Sequence, residues 1–174
     1  MNKNNISSAQ IVFDNEDLRT HIFDYIYSSN FAATNGLLSV FESKKNDASF
    51  PITSDTMIIA STNGHLNIVK YLHNNYYSKF CSSYAIDYAA YHGHLDIIKY
   101  LMENNNEINI YLYSLFALYW SALNGHLPVV KYMCENIYLK QRDKINFSNA
   151  IDYANSRSGH INIINYLSNL SKNK

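Results

Sequence analysis

Four histidines recur in this sequence in a way that first reads as ligand chemistry: His65, His94, His126 and His160 each follow a glycine. Zinc holds imidazole nitrogen at about 2.0–2.1 Å. Each of these histidines, however, opens the second of two helical segments. Neighbouring copies are therefore displaced by one helix-pair width, on the order of 10 Å, and one ion cannot gather them. His92 and His94 flank Gly93 as the closest pair, but no Cys or carboxylate set completes them at a recognised metal spacing. A hydrogen bond in the turn is the expected use of these rings. Cys134 has no base, orienting group or oxyanion donor fixed near it in sequence, and it reads as a buried thiol on a second helix. Of the five glycines, four stand in Gly-His turns, so there is no glycine-rich loop to cradle a phosphate. The sequence predicts no catalytic residue, no metal and no cofactor.

The elements that carry the histidines repeat. Residues 64–72, Gly-His-Leu-Asn-Ile-Val-Lys-Tyr-Leu, return at 93–101, 125–133 and 159–167 with conservative changes. A segment of small and apolar residues precedes each glycine, as in Met57-Ile58-Ile59-Ala60-Ser61 and Ile86-Asp87-Tyr88-Ala89-Ala90. Each unit is thus helix, glycine turn, helix: the glycine takes the left-handed conformation that reverses the chain, and Ala or Ser just before it lets the two helices approach. After the turn, Leu66, Ile68, Val69 and Leu72 keep the spacing of an amphipathic helix. So short a pair cannot bury its stripe alone, so neighbouring pairs must stack. Tyr71, Tyr100, Tyr132 and Tyr166 share one register and are expected to pack along the second helices with their hydroxyls in water.

On these residues the sequence resembles the ankyrin repeat family, whose unit runs Thr-Pro-Leu-His-x-Ala-Ala-x-x-Gly-His-x-x-x-Val-x-x-Leu-Leu; the Gly-His core and Ala-rich first helix match over residues 51–170. The resemblance implies an all-α fold, an ankyrin-like α-solenoid of stacked helix-turn-helix repeats with short connecting loops. Thr-Pro-Leu-His itself is replaced by Asp55-Thr56-Met57-Ile58, Tyr84-Ala85-Ile86-Asp87 and Phe116-Ala117-Leu118-Tyr119, so the side-chain network of that motif must be replaced or absent. The turn glycines lie 29, 32 and 34 residues apart, and the Gly-Ala-Asp finger is reduced to Asn106-Glu107-Ile108-Asn109. The fourth copy carries one extra residue before its glycine, Asn155-Ser156-Arg157-Ser158, and a distorted turn is expected there.

One continuous domain follows. Residues 1–50 form an N-terminal segment and a degenerate capping repeat around Phe31–Phe41, and residues 51–174 hold four repeats (51–79, 80–110, 111–144, 145–174). Asn15 is placed to cap a helix bearing Leu18, Ile22, Phe23, Ile26 and Tyr27, which closes the open end. The apolar spacing from Ile11 to Ile26 also resembles the F-box motif, which implies the alternative of a substrate-receptor adaptor of a ubiquitin ligase. Residues 168–174 lose the apolar period and are expected to fray.

Lys+Arg and Asp+Glu both number 14, so no basic field drives binding to nucleic acid or to a membrane surface. There is no apolar run of membrane-spanning length and no signal-like apolar block after Met1–Asn5. Cys81 and Cys134 are far apart and suit a reducing compartment. A monomer in the cytoplasm or nucleus is expected.

The resemblance places partners on the concave side formed by first helices and turn fingers, and so points to the two residues before each turn glycine. These are Thr62 and Asn63, Tyr91 and His92, Leu123 and Asn124, and Arg157 and Ser158, with Ser83, Tyr113 and Leu115 extending the surface. They change from copy to copy while the frame stays. Tyr91, Tyr113 and Arg157 are the expected anchors, Tyr and Arg being enriched among hot spots. The sequence reading is a non-catalytic scaffold that binds a protein partner.

Overall fold

The computed structural model describes residues 24, 28–45, 47–76, 82–104, 110–141, 147–157 and 159–172, without the side chains of 82–83, 110–115 and 137–141. Among them the fold is all-α, as expected. Its helices alternate short turns with longer links: α1 (Ser29–Thr34), α2 (Leu38–Ser43), α3 (Ser54–Thr62), α4 (Leu66–Tyr76), α5 (Ser82–His92), α6 (Leu95–Asn104), α7 (Ile110–Leu123), α8 (Leu127–Gln141), α9 (Phe147–Arg157) and α10 (Ile161–Lys172). The N-terminal helix bearing Leu18 to Tyr27 and the F-box-like stretch from Ile11 lie outside the described residues, apart from Asp24.

Odd-numbered helices form one row, α1 on α3 on α5 on α7 on α9, and each packs against the even-numbered helix that follows it. The small residues before each glycine make this close approach possible: Ala60, Ser61, Ala89, Ala90, Ser121, Ala122 and Ala154 are all fully buried. The second helices bury the stripe read from sequence, Ile68, Val69 and Leu72 on α4, Ile97, Ile98 and Leu101 on α6, Val129, Val130 and Met133 on α8. Each such side chain contributes on the order of 1.5–3 kcal/mol. Thr56, fully buried, supplies one replacement for the missing motif: its hydroxyl donates to Asn30 Oδ1 at 2.9 Å, lies 3.0 Å from the Ser29 hydroxyl and accepts from the Thr53 N–H at 3.3 Å.

The histidines turn out to join repeats. His65, His94, His126 and His160 each reach back to the preceding turn, where Nε2 meets the carbonyl oxygen two residues before the glycine: Thr34 at 3.0 Å, Thr62 at 3.0 Å, Tyr91 at 2.9 Å and Leu123 at 3.1 Å. A carbonyl only accepts, so the proton is on Nε2. These acceptors are at helix C-termini, where carbonyls lack intrahelical donors. The ring lies flat against the glycine, so that a Cβ on Gly93 would stand 2.6 Å from His126 Nδ1. Within the turn, the His94 N–H bonds the Ala89 carbonyl at 2.9 Å, and His65 and His126 repeat this bond with Ala60 and Ser121.

A second ladder runs along the even-numbered helices. Lys70, Lys99 and Lys131 each hold Nζ 5.4, 5.6 and 5.7 Å from the ring of the next repeat's tyrosine, Tyr100, Tyr132 and Tyr166. Each contact is worth about 0.5–1 kcal/mol at such exposed sites. The expectation that the tyrosine hydroxyls reach water is corrected for Tyr71 and Tyr100: Tyr71 donates to the Phe41 carbonyl at 2.9 Å, and the Tyr100 hydroxyl lies 3.1 Å from His73 Nδ1. Adjacent second helices stand close enough for a half-buried phenol to find a partner in the preceding repeat.

Two features of the last repeat differ from expectation or sharpen it. The extra residue before Gly159 is absorbed in the turn, where the His160 N–H bonds the Ala154 carbonyl, six residues back instead of five, and the histidine still reaches Leu123. Residues 168–172, expected to leave the helix, continue α10, with Leu170 packed against the core and the Ser171 hydroxyl bonding the Ser168 carbonyl.

Gly93 and Gly159 separate the two demands on a turn glycine. Both have positive φ, +81° and +56°, but a Cβ on Gly159 meets nothing within 4 Å because no further histidine covers it. Gly93→Ala is expected to cost about 2–3 kcal/mol, from strain plus the displaced histidine, and Gly159→Ala about 1 kcal/mol from strain alone. Urea unfolding of the two variants measures the difference; equal losses would mean that the ring contact contributes nothing.

Candidate functional site

The outer side of the first-helix row carries a concentration of aromatic residues. On α5, Tyr84, Tyr88 and Tyr91 follow i, i+4, i+7 and so form one stripe, and on α7, Phe116 and Trp120 follow i, i+4. The residues between them, Ala85, Ile86, Ala89, Ala90, Ala117 and Leu118, are the buried ones, and packing them turns the aromatic stripe outward. Tyr84 is 63% exposed, Phe116 59%, Tyr88 48% and Trp120 37%. The two stripes, with Asp87 and His92, enclose a groove of about 470 Å³. Trp120 meets Tyr91 edge-on at 5.4 Å, and Tyr91 meets His92 at 4.9 Å.

Asp87 lies in this groove at the place where the repeat motif has its histidine. One carboxylate oxygen is buried without a hydrogen-bond partner among the described residues. Burial pushes the carboxyl up from its ordinary 3.8 to about 7, and the Ala117 backbone N–H opposes this only in part. His92, also lining the groove, is pushed down by burial and by repulsion from His94 and His126. At the edge, Arg157 Nη1 donates to Asn124 Oδ1 at 2.7 Å and lies 3.5 Å from the Tyr91 hydroxyl, tying α9 to the turn after α7 and to α5. Tyr119 and Tyr153 stack at 5.4 Å beside it.

The surface expected from sequence is partly assembled here. Tyr91 and His92 line the groove, and Asn124 and Arg157 form its edge. Thr62 and Asn63 lie one repeat away and bond their own helix, through Ile58 and Ile59 carbonyls at 2.8 Å. Leu123 is half-buried, and its carbonyl receives His160. Ser83, Tyr113 and Leu115 lie within α5 and α7 with side chains outside the described residues, as is Ser158. Sequence reasoning missed Tyr84, Asp87, Tyr88, Phe116 and Trp120. Their signal was present as aromatic spacing of four and three on first helices whose other positions are small.

Of the remaining chemical candidates, His94 and Cys134 are committed to structure. His92 and His94 stack nearly parallel at 6.2 Å, and His94 Nε2 is occupied by the Thr62 carbonyl. Cys134 is buried, and burial with Glu135 nearby pushes its thiol up to about 12. Cys81 lies outside the described residues.

A stack of helix pairs joined through left-handed glycine turns, with its variable side chains on the first-helix face, is a helical repeat protein. Residues 29–112 match the family model for ankyrin repeats, in three copies, and this match, with the all-α stack, supports an ankyrin repeat array over those residues. No curated protein and no solved structure matches the chain. Ankyrin repeats are generally protein–protein interaction modules and typically non-catalytic. No described helix is long and apolar enough to cross a membrane.

The raised carboxyl has a consequence for stability. The native Asp87 keeps its proton to about pH 7, whereas the unfolded chain releases it near 3.8. Between these values the unfolded state binds fewer protons, so this group's contribution falls as pH rises from about 4 to 7. Asp87→Asn should therefore be more stable than the parent at pH 8, by on the order of 1 kcal/mol after solvent screening, and equal to it at pH 3.5. His92 titrates in both proteins and drops out of the comparison. Thermal midpoints at the two pH values test this, and a gap that does not change with pH would remove the buried charge as its cause.

Proposed function

We propose that this protein is a non-catalytic scaffold that holds a protein partner in the aromatic groove between α5 and α7. The observation that carries the reading is the exposure of Tyr84, Tyr88, Phe116 and Trp120 side by side across two repeats. Exposed apolar side chains scattered singly are ordinary, but a contiguous patch marks an interaction site. Tyr and Trp are also the residues that most often dominate binding energy. Arg157 and Asn124 supply a polar edge to the same patch.

A peptide-display selection against the purified chain, with hits remeasured on variants, tests the proposal. Phe116→Ala and Tyr88→Ala should weaken the hits about tenfold or more, with Tyr91→Ala and Arg157→Ala acting in the same direction. The exposure of Phe116 and Tyr88 keeps their stability cost within about 0.5 kcal/mol, so lost binding is not lost folding. Hits that bind every variant as tightly as the parent would place the interaction elsewhere.

A further inference from the structure

The groove has a composition that selects among partners. Five aromatic rings, Tyr84, Tyr88, Tyr91, Phe116 and Trp120, surround one carboxylate, and among the described residues no lysine or arginine lines the space. Aromatic faces are negative and attract a cation lying over them. Asp87 lines the groove, and its Oδ1 is closed off from solvent and has no hydrogen-bond partner among the described residues, whereas a buried charge is ordinarily paired. The cation on this side of α9, Arg157, is engaged with Asn124 and the Tyr91 hydroxyl. The groove therefore lacks one thing that its chemistry favours, a positive charge from outside.

We infer that the groove between α5 and α7 receives an arginine side chain of the partner protein, its guanidinium stacked among the aromatic rings and donating to Asp87. The inference rests on the docking surface proposed above and adds the chemistry of its occupant. Arginine fits better than lysine for physical reasons. Its planar head stacks on aromatic faces, is weakly hydrated and can donate to a carboxylate while its faces remain in contact with rings, whereas an ammonium is a strongly hydrated point charge. Burial that lifts the Asp87 carboxyl to about 7 is the cost of leaving this charge without a counterion, and an arriving guanidinium offsets it.

Trp120 is the sole tryptophan of the chain and lines the groove, so its fluorescence reports occupancy directly. The test uses acetylated pentapeptide amides with arginine, lysine, citrulline or glutamate between glycines, titrated into the full chain at pH 8, where Asp87 is ionised. The arginine peptide should change the emission saturably, with a Kd on the order of a millimolar for so small a ligand. Citrulline, which has nearly the same shape without the charge, should bind at least about tenfold more weakly, and glutamate more weakly still. Asp87→Asn, verified as folded by its urea transition, should reduce arginine binding to the citrulline level and leave citrulline unchanged.

Equal binding of arginine and citrulline would overturn the role of charge, and equal binding of arginine and lysine would overturn the guanidinium. A loss of both peptides in Asp87→Asn would overturn the proposed contact. Displayed peptides that depend on Phe116 and Tyr88 but carry no arginine would sink this inference while the docking surface stands. Peptides indifferent to those residues would remove both.

Discussion

The structure depends on one contact made four times, a histidine laid against the turn glycine of the preceding repeat with its Nε2 proton on a helix-end carbonyl. Every part of it is required by something else. The carbonyl is available because a helix C-terminus leaves it unpaired. The ring fits because the turn residue has no Cβ, and the turn residue is glycine because its φ is positive. The histidine is in position because its own carbonyl opens the next helix, as in the 3.0 Å bond from the Val69 N–H to His65. One residue type thus links a turn, a helix start and a repeat interface. In a stack whose units cannot bury their faces alone, the interfaces are where stability resides.

The lysine–tyrosine ladder couples the same units on the other side. Lys70, Lys99 and Lys131 sit six residues after their glycines, and the tyrosines they cover sit seven residues after the next. Four positions of the repeated nine-residue signature, the Gly, His, Lys and Tyr, are therefore spent between repeats. This division of labour leaves much of the outer side of the first helices exposed. Tyr84, Tyr88 and Phe116 are about half exposed or more, Trp120 meets the neighbouring repeat edge-on through Tyr91, and Asp87 occupies the place of a motif residue that this chain has given up. The loss of Thr-Pro-Leu-His is compensated at one junction by Thr56 with Ser29 and Asn30, and at another by the stacked pair Tyr119 and Tyr153.

Uneven spacing is tolerated because the coupling is local to the turns. The extra residue before Gly159 lengthens one backbone bond from five residues to six, yet His160 still reaches Leu123. Links between repeats can vary in length as long as histidine, glycine and the helix-end carbonyl keep their relation.

The sequence by itself determined the helix pairs, their glycine turns and the buried stripe, because each is encoded by residues within a few positions of one another, as Ile68, Val69 and Leu72 show on α4. It also marked Tyr91, His92, Asn124 and Arg157 by their variation within a constant frame. Only the tertiary structure decided what the histidines bind, since His94 and Thr62 are 32 residues apart and no local pattern pairs a ring with a distant carbonyl. The same holds for the groove. Its walls come from α5 and α7, and the aromatic spacing on each was legible alone, but a cavity exists only where packing sets two such stripes side by side with a carboxylate between them.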